Sequence, residues 1–142
     1  MTRKKPFTPE EFKSIYSRVP RVTVDLVIRT EQGTLLIVRD SGGWVGQWHL
    51  PGGTIFYRER IADAIERIAE EEVGIKVKVE KFLEHIEFLS EEKERGYGYS
   101  ISLVYLCAPV EPIPDKTDKY TFFKTLPDNI VSEHKEVISR YK

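Results

Sequence analysis

The 23 residues from Gly53 to Ile75, GTIFYRERIADAIERIAEEEVGI, constrain this chain more than any other part of it. A glycine turn leads to an isolated carboxylate, Glu59, and then to an amphipathic run that stops at Gly74. At ~100° per residue, Ile61, Ala64, Ile65, Ile68 and Ala69 share one broad apolar face, and Asp63, Glu66 and Glu70 fall on the opposite side. Glu72 breaks the pattern. It projects about 40° from Ile68, nearly over Ile61, in the middle of the stripe that a fold has to bury. An unpaired carboxylate there is costly, so Glu72 calls for a cation, either a Lys or Arg side chain or a metal ion. Glu71 lies at the edge of the stripe with Arg67 one turn earlier on the same flank, placed to orient it. For an acidic helix end read alone, a solvated face paired with Lys is the plain alternative; the spacing to Gly53, Glu59 and Gly74 argues for a built site.

Around this segment the pattern alternates strands and helices without repeats. Thr8-Pro9-Glu10-Glu11 combines a capping Thr, a first-turn Pro and a capping-box Glu, so a helix is expected to about Val19. Arg21 to Arg29 reads as a strand that turns at Thr30-Glu31-Gln32-Gly33 and returns over Thr34 to Arg39. Ser41 to Gln47 reads as a mobile glycine-rich loop leading to Trp48-His49-Leu50 and the Pro51-Gly52-Gly53 turn. Val77 to Phe88 and Ile101 to Val110 read as long strands joined by a charged loop, Ser90 to Tyr99. Tyr120 to Lys124 is a short strand and Ser132 to Lys142 a closing helix. The expectation is one α/β domain spanning 1–142, with a mixed central sheet between helices.

Composition narrows the function classes. A net charge of −1 and a pI near 6.3 give no electrostatic footprint for nucleic acid. No stretch approaches the ~18 apolar residues of a membrane span, and MTRKKPFTPEEF lacks the apolar core of a signal peptide, so a cytoplasmic location is expected. The lone Cys107 excludes an intrachain disulfide. A homodimer is left open.

The segment resembles the Nudix box: Gly, five residues, Glu, seven residues, then Arg-Glu-aliphatic-any-Glu-Glu-any-Gly-aliphatic. Gly53, Glu59, Arg67, Ala69, Glu71, Glu72, Gly74 and Ile75 fall in register, and the Glu expected after the Arg is Ile68. The resemblance implies a Nudix-type α/β/α sandwich and hydrolysis of a nucleoside diphosphate-linked small molecule. Mg²⁺, or Mn²⁺ in its place, would be held by Gly53 (or Gly52), Glu71 and Glu72, with Glu59 either a further contact or a helix cap. A hard, oxygen-seeking cation that keeps waters and shares phosphate oxygens suits such carboxylates, and the glycines allow close backbone approach to a phosphate. Phe12 to Gly53 also resembles the GDP-mannose mannosyl hydrolase branch, which has an aliphatic residue after the box Arg and cleaves at the sugar carbon. That likeness implies Asp25, Arg39 and Gly52 as substrate contacts, His134 as general base and Glu133 as a metal contact. Departures from the branch are Thr54 in place of an Arg and the retained Glu71. Plain alternatives stay open: a surface histidine for His134, a strand-end charge for Arg39, an edge-facing polar residue for Asp25. His49 and His85 read as packed or rim residues. Pyrophosphate cleavage is the second reading, and a non-catalytic Nudix-like binding module, motivated by Ile68, the third.

Overall fold

The computed structural model describes residues 5–40 and 43–141. The chain runs α1 (Pro9–Tyr16), β1 (Arg21–Thr30), β2 (Gly33–Val38), β3 (Trp48–His49), β4 (Gly52–Thr54), α2 (Ile61–Val73), β5 (Val77–Glu87), α3 (Glu91–Arg95), β6 (Ser100–Pro109), β7 (Thr121–Phe123) and α4 (Ser132–Arg140). The sheet is ordered β3-β2-β1-β6-β5, with β4 also on β1 and β7 on β2. β1 and β6 are parallel, with Arg21 opposite Ser100 and Asp25 opposite Val104; the other strand pairs are antiparallel. This is the expected mixed sheet flanked by helices.

The two-residue period of β1 explains how the layers divide. Val24, Leu26 and Ile28 pack with Ile65, Ile68, Ala69 and Val73 of α2. Val27 belongs to the opposite core with Leu50, Val104, and Val137 and Ile138 of α4. Asp25 follows the period of Val27, so its carboxylate goes to the α4 side, and with 6% exposure on a central strand it is not an edge residue. Gly74 closes α2 in the left-handed region (φ 70°), where a glycine carries no Cβ penalty. The Thr8–Glu11 capping box forms as expected.

Three expectations are corrected. α1 ends at Tyr16 rather than Val19. Ile61 is 38% exposed: it is the first residue of α2, and the buried face of the helix begins at Ala64. The charged segment read as a loop contains α3, and its Glu91 is buried beneath two arginines. Ser41 and Gly42 of the glycine-rich loop, and Lys142 at the end of the closing helix, lie outside the described residues. Cys107 is buried, which pushes its thiol up to about 12 and leaves it inert.

Candidate active site

A cavity of about 1160 Å³ opens where the start of β1, the β4 turn and the C-terminal part of α2 meet, with α1 as an outer wall. Asp25, Arg39, Gly52, Gly53, Arg67, Glu71, Glu72 and His134 all line it. Glu59 and Glu133 do not.

Arg67 organises the α2 side. Its Nε and Nη2 donate to the two Glu59 oxygens at 2.8 and 3.0 Å, Nη2 also to the Thr54 carbonyl at 2.8 Å, and Nη1 to Glu71 at 3.2 Å. The Phe56 ring covers the guanidinium, 3.9 Å from its centroid. Burial works against the charge, but Glu59 and Glu71 outweigh it, so the Arg67 pKa is raised. Glu59 also accepts the Phe56 N–H at 2.9 Å. Both its oxygens thus hold Arg67 and the turn, and Glu59 does not line the cavity.

Glu72 is the counterpart. It is half-buried, and among the described residues it accepts no hydrogen bond and forms no ion pair. Burial raises its pKa; Arg39 opposes that rise and Glu71 adds to it. An orphaned carboxylate beside a second one, next to a glycine turn, suits a hard divalent cation. Among the described residues no three His, Cys, Asp or Glu side chains converge into a metal cage. A cation here would have Glu71, Glu72 and backbone carbonyl to hold it, in keeping with Mg²⁺ sites that use one or two carboxylates and leave the rest to water and substrate oxygens. Glu133 stands apart, accepting from Ser90 at 2.6 Å and Ser132 at 3.1 Å.

The opposite wall is a buried polar chain. Ser102 Oγ donates to Asp25 Oδ2 at 2.6 Å, and His134 Nε2 lies 3.3 Å from the same oxygen. Burial pushes the Asp25 pKa up, but His134 and the Ser102 hydroxyl more than reverse this, and the net direction is down. His134 Nδ1 accepts the Leu50 N–H at 3.0 Å. A neutral ring that accepts at Nδ1 carries its proton on Nε2, facing Asp25, so it has no lone pair left for a water. That contact is too poorly aligned for a hydrogen bond, and Nε2 stays buried without a formal partner. His134 is buried, 5% exposed, rather than a surface histidine.

Gly52 is required by Asp25: a Cβ there would lie 2.1 Å from Oδ1. Ile68 is 2% exposed and packs in the α2 core, so the position that carries a Glu in the box is a packing residue. Arg39 donates from Nε to the Gly43 carbonyl at 2.8 Å and faces the Trp44 ring at 5.5 Å. Burial and the charge of Arg95 lower its pKa, and Glu72 offsets part of this.

Three wall residues were not anticipated. His49 is buried with Nδ1 2.7 Å from the Leu50 carbonyl, and burial, then His134 and Arg39, pull its pKa down to about 3. It stays neutral at physiological pH. Arg21 and Arg95 meet over Glu91; the sequence signal was their concentration of charge at the ends of two paired segments, which reads equally as surface. His85 is a solvent-exposed residue of β5, 3.5 Å from exposed Glu87, and does not line the cavity.

Comparison with known proteins bears on the family and the fold. A family model described as NUDIX domain matches residues 19–139. Over 74 residues, 52% of this chain and 47% of the relative, the sequence is 46% identical to low-salt glycan biosynthesis protein Agl8 of Haloferax volcanii. Over 87 residues, 61% of this chain and 50% of the relative, it is 32% identical to an ADP-ribose pyrophosphatase of Methanocaldococcus jannaschii. The chain thus spans about half the length of the curated relatives it matches. Among solved structures, a MutT NUDIX hydrolase from Burkholderia pseudomallei superposes with TM-score 0.73 at 24% identity, covering 88% of this chain and 100% of that one. A bifunctional NMN adenylyltransferase/ADP ribose pyrophosphatase from Francisella tularensis, complexed with AMP and a manganese ion, gives 0.62 at 21% identity, covering 92% and 46%. At those identities the likeness is one of fold. Among the described residues, no helix is long and apolar enough to cross a membrane. The match of the family model to residues 19–139, joined to the Gly53–Ile75 box, places this chain in the Nudix hydrolase family.

Proposed function

We propose that this chain hydrolyses the diphosphate linkage of a nucleoside diphosphate-linked small molecule, a nucleotide sugar or ADP-ribose-like compound, with the aid of Mg²⁺ or Mn²⁺. The observation that carries the reading is Glu72, an orphaned carboxylate beside Glu71 in a cavity that also holds Arg39 and the glycine turn. Glu71, Glu72 and the carbonyls of Gly52 or Gly53 would hold the cation. When bound, it would draw off the charge that develops on the leaving phosphate. Arg67 fixes Glu71 in place through their 3.2 Å contact, and Arg39 provides positive charge for the other phosphate oxygens. The ADP-ribose pyrophosphatase among the relatives supports cleavage at phosphorus.

A second reading, cleavage at the sugar carbon as in GDP-mannose mannosyl hydrolase, is favoured by Ile68 and by Asp25, Arg39 and His134 lining the same cavity. It ranks second because both nitrogens of His134 are directed at protein groups. Hydrolysis of a panel of nucleotide sugars and ADP-ribose in ¹⁸O-labelled water with Mg²⁺ tests both. Label in a phosphate of the products is the expected result, label in the released sugar would establish the second reading, and no turnover of any member with either cation would leave a binding module.

A further inference from the structure

Beyond the groups assigned above, the cavity holds a second cluster of charge, built by α3 and the start of β1. Glu91 is 1% exposed; its Oε1 accepts from Ser100, and its Oε2 lies 3.2 Å from Arg21 Nη2 and 3.6 Å from Arg95 Nε. Gly98 makes room for it, since a Cβ there would sit 2.9 Å from Oε2. Arg21 is fully employed, donating also to Ser100 at 3.1 Å and Thr54 at 2.9 Å. Arg95 is not. Its side chain is 12% exposed, its Nε is buried without a hydrogen bond, and among the described residues no protein group accepts from its remaining nitrogens.

Two guanidiniums therefore share one carboxylate, and the surplus charge faces the cavity. The Arg95 guanidinium has the Phe12 and Tyr97 rings at 5.7 and 5.8 Å, and Gly43 packs at the foot of the side chain, where a Cβ would touch the Arg95 Cα and Cβ at 3.3 Å. An Nε–H shut off from water without an acceptor is costly, and the planar fork of the guanidinium matches a phosphate or carboxylate. Arg39 feels Arg95, Glu72, Asp25 and Glu91, and all five residues line the same cavity.

We infer that Arg95, braced by Glu91 and Arg21, is an anion subsite that takes an oxyanion of the substrate beyond the diphosphate. The inference rests on the hydrolase reading above for the word substrate, and it narrows that class to compounds carrying a further phosphate or carboxylate. Neutral sugars would leave the subsite unfilled.

The test needs no turnover. In EDTA, protein with ¹⁵N-labelled arginine side chains is titrated with inorganic phosphate and, separately, with acetate, following the Nε–H resonances of Arg95 and of Arg21, which shares Glu91 and serves as the reporter in the Arg95 variants. A saturable shift is expected, weakened about tenfold or more in Arg95→Met and less in Arg95→Lys. Glu91→Gln, which removes the counter-charge and keeps both guanidiniums, is expected to tighten binding. A response to phosphate alone assigns a phosphate subsite, and a response to acetate alone a carboxylate subsite. An absent or unsaturable shift, or the same affinity in Arg95→Met and Arg95→Lys as in wild type, overturns the inference. Failure here leaves the hydrolase reading standing, and failure of the ¹⁸O experiment leaves the Arg95 anion site standing while removing its assignment to a substrate.

Discussion

Two arginines on the wall of one cavity, Arg67 and Arg95, have opposite local surroundings. Arg67 is matched group for group: Glu59, Glu71, the Thr54 carbonyl and the Phe56 ring take up its donors and its face. Arg95 shares Glu91 with Arg21 at 3.6 Å and donates to no protein group among the described residues. The carboxylates divide in the same way, with Glu59 spent on Arg67 and Glu72 left over. The side-chain chemistry is the same in each pair. What separates scaffold from reagent is whether the surrounding chain supplies enough partners.

The largest effect should come from the unmatched carboxylate. Glu72→Gln is expected to lower kcat roughly 10²- to 10⁴-fold, the range for losing a metal-held charge at the reacting phosphate. Stability of the metal-free protein should hold or rise, because burial already favours the neutral form. Steady-state kinetics with urea denaturation checks both, and unimpaired turnover would erase the distinction between Glu72 and Glu59. Next is Glu59→Ala, which leaves Arg67 buried with one half-exposed partner and should cost about 3–5 kcal/mol in urea denaturation. Gly52→Ala follows, since its Cβ would sit 2.1 Å from Asp25 Oδ1; overpacking of this kind costs about 1–3 kcal/mol, seen as a lower Tm.

The smallest effect near neutrality is the one at His49. Its folded pKa, about 3, is below the ordinary 6.5, so the unfolded chain binds more protons between those values. Stability then falls as pH drops through that window, by about 1 kcal/mol from pH 6.5 to 5.5, and the slope levels off below pH 3. His49→Gln should show a flatter stability profile across that interval in denaturation series, and an unchanged slope would place the acid sensitivity elsewhere.

Much of this site is local in sequence and was legible there. Helical spacing alone sets Arg67 beside Glu71 and makes Glu72 the misplaced carboxylate, because those relations need only one helix and its period. The β-strand period likewise directs Asp25 away from Val24 and Leu26. What periodicity could not supply is pairing between distant segments. Glu91 stands in a charged stretch that reads as solvated, and only its meeting with Arg21, 70 residues away, buries it. His134 appeared as a candidate base; the groups that occupy its ring, Leu50 N–H and Asp25, come from β1 and from the link between β3 and β4. Glu59 fell in register with the box, yet its full engagement by Arg67 is a matter of side-chain direction rather than spacing.

The parallel pairing of β1 with β6 also bears on how the molecule comes into being. Asp25 and Ser102 are 77 residues apart, and Leu50 and His134 are 84 apart, so each contact closes a long stretch of chain before it returns any free energy. Such non-local topologies fold in milliseconds to seconds rather than microseconds. The box helix, by contrast, needs only its own neighbours in sequence. A nascent chain thus carries Glu71 and Glu72 side by side on one segment long before it has a cavity to put them in. The cavity that gathers them with Asp25, Arg39 and His134 exists only once those long-range contacts have closed.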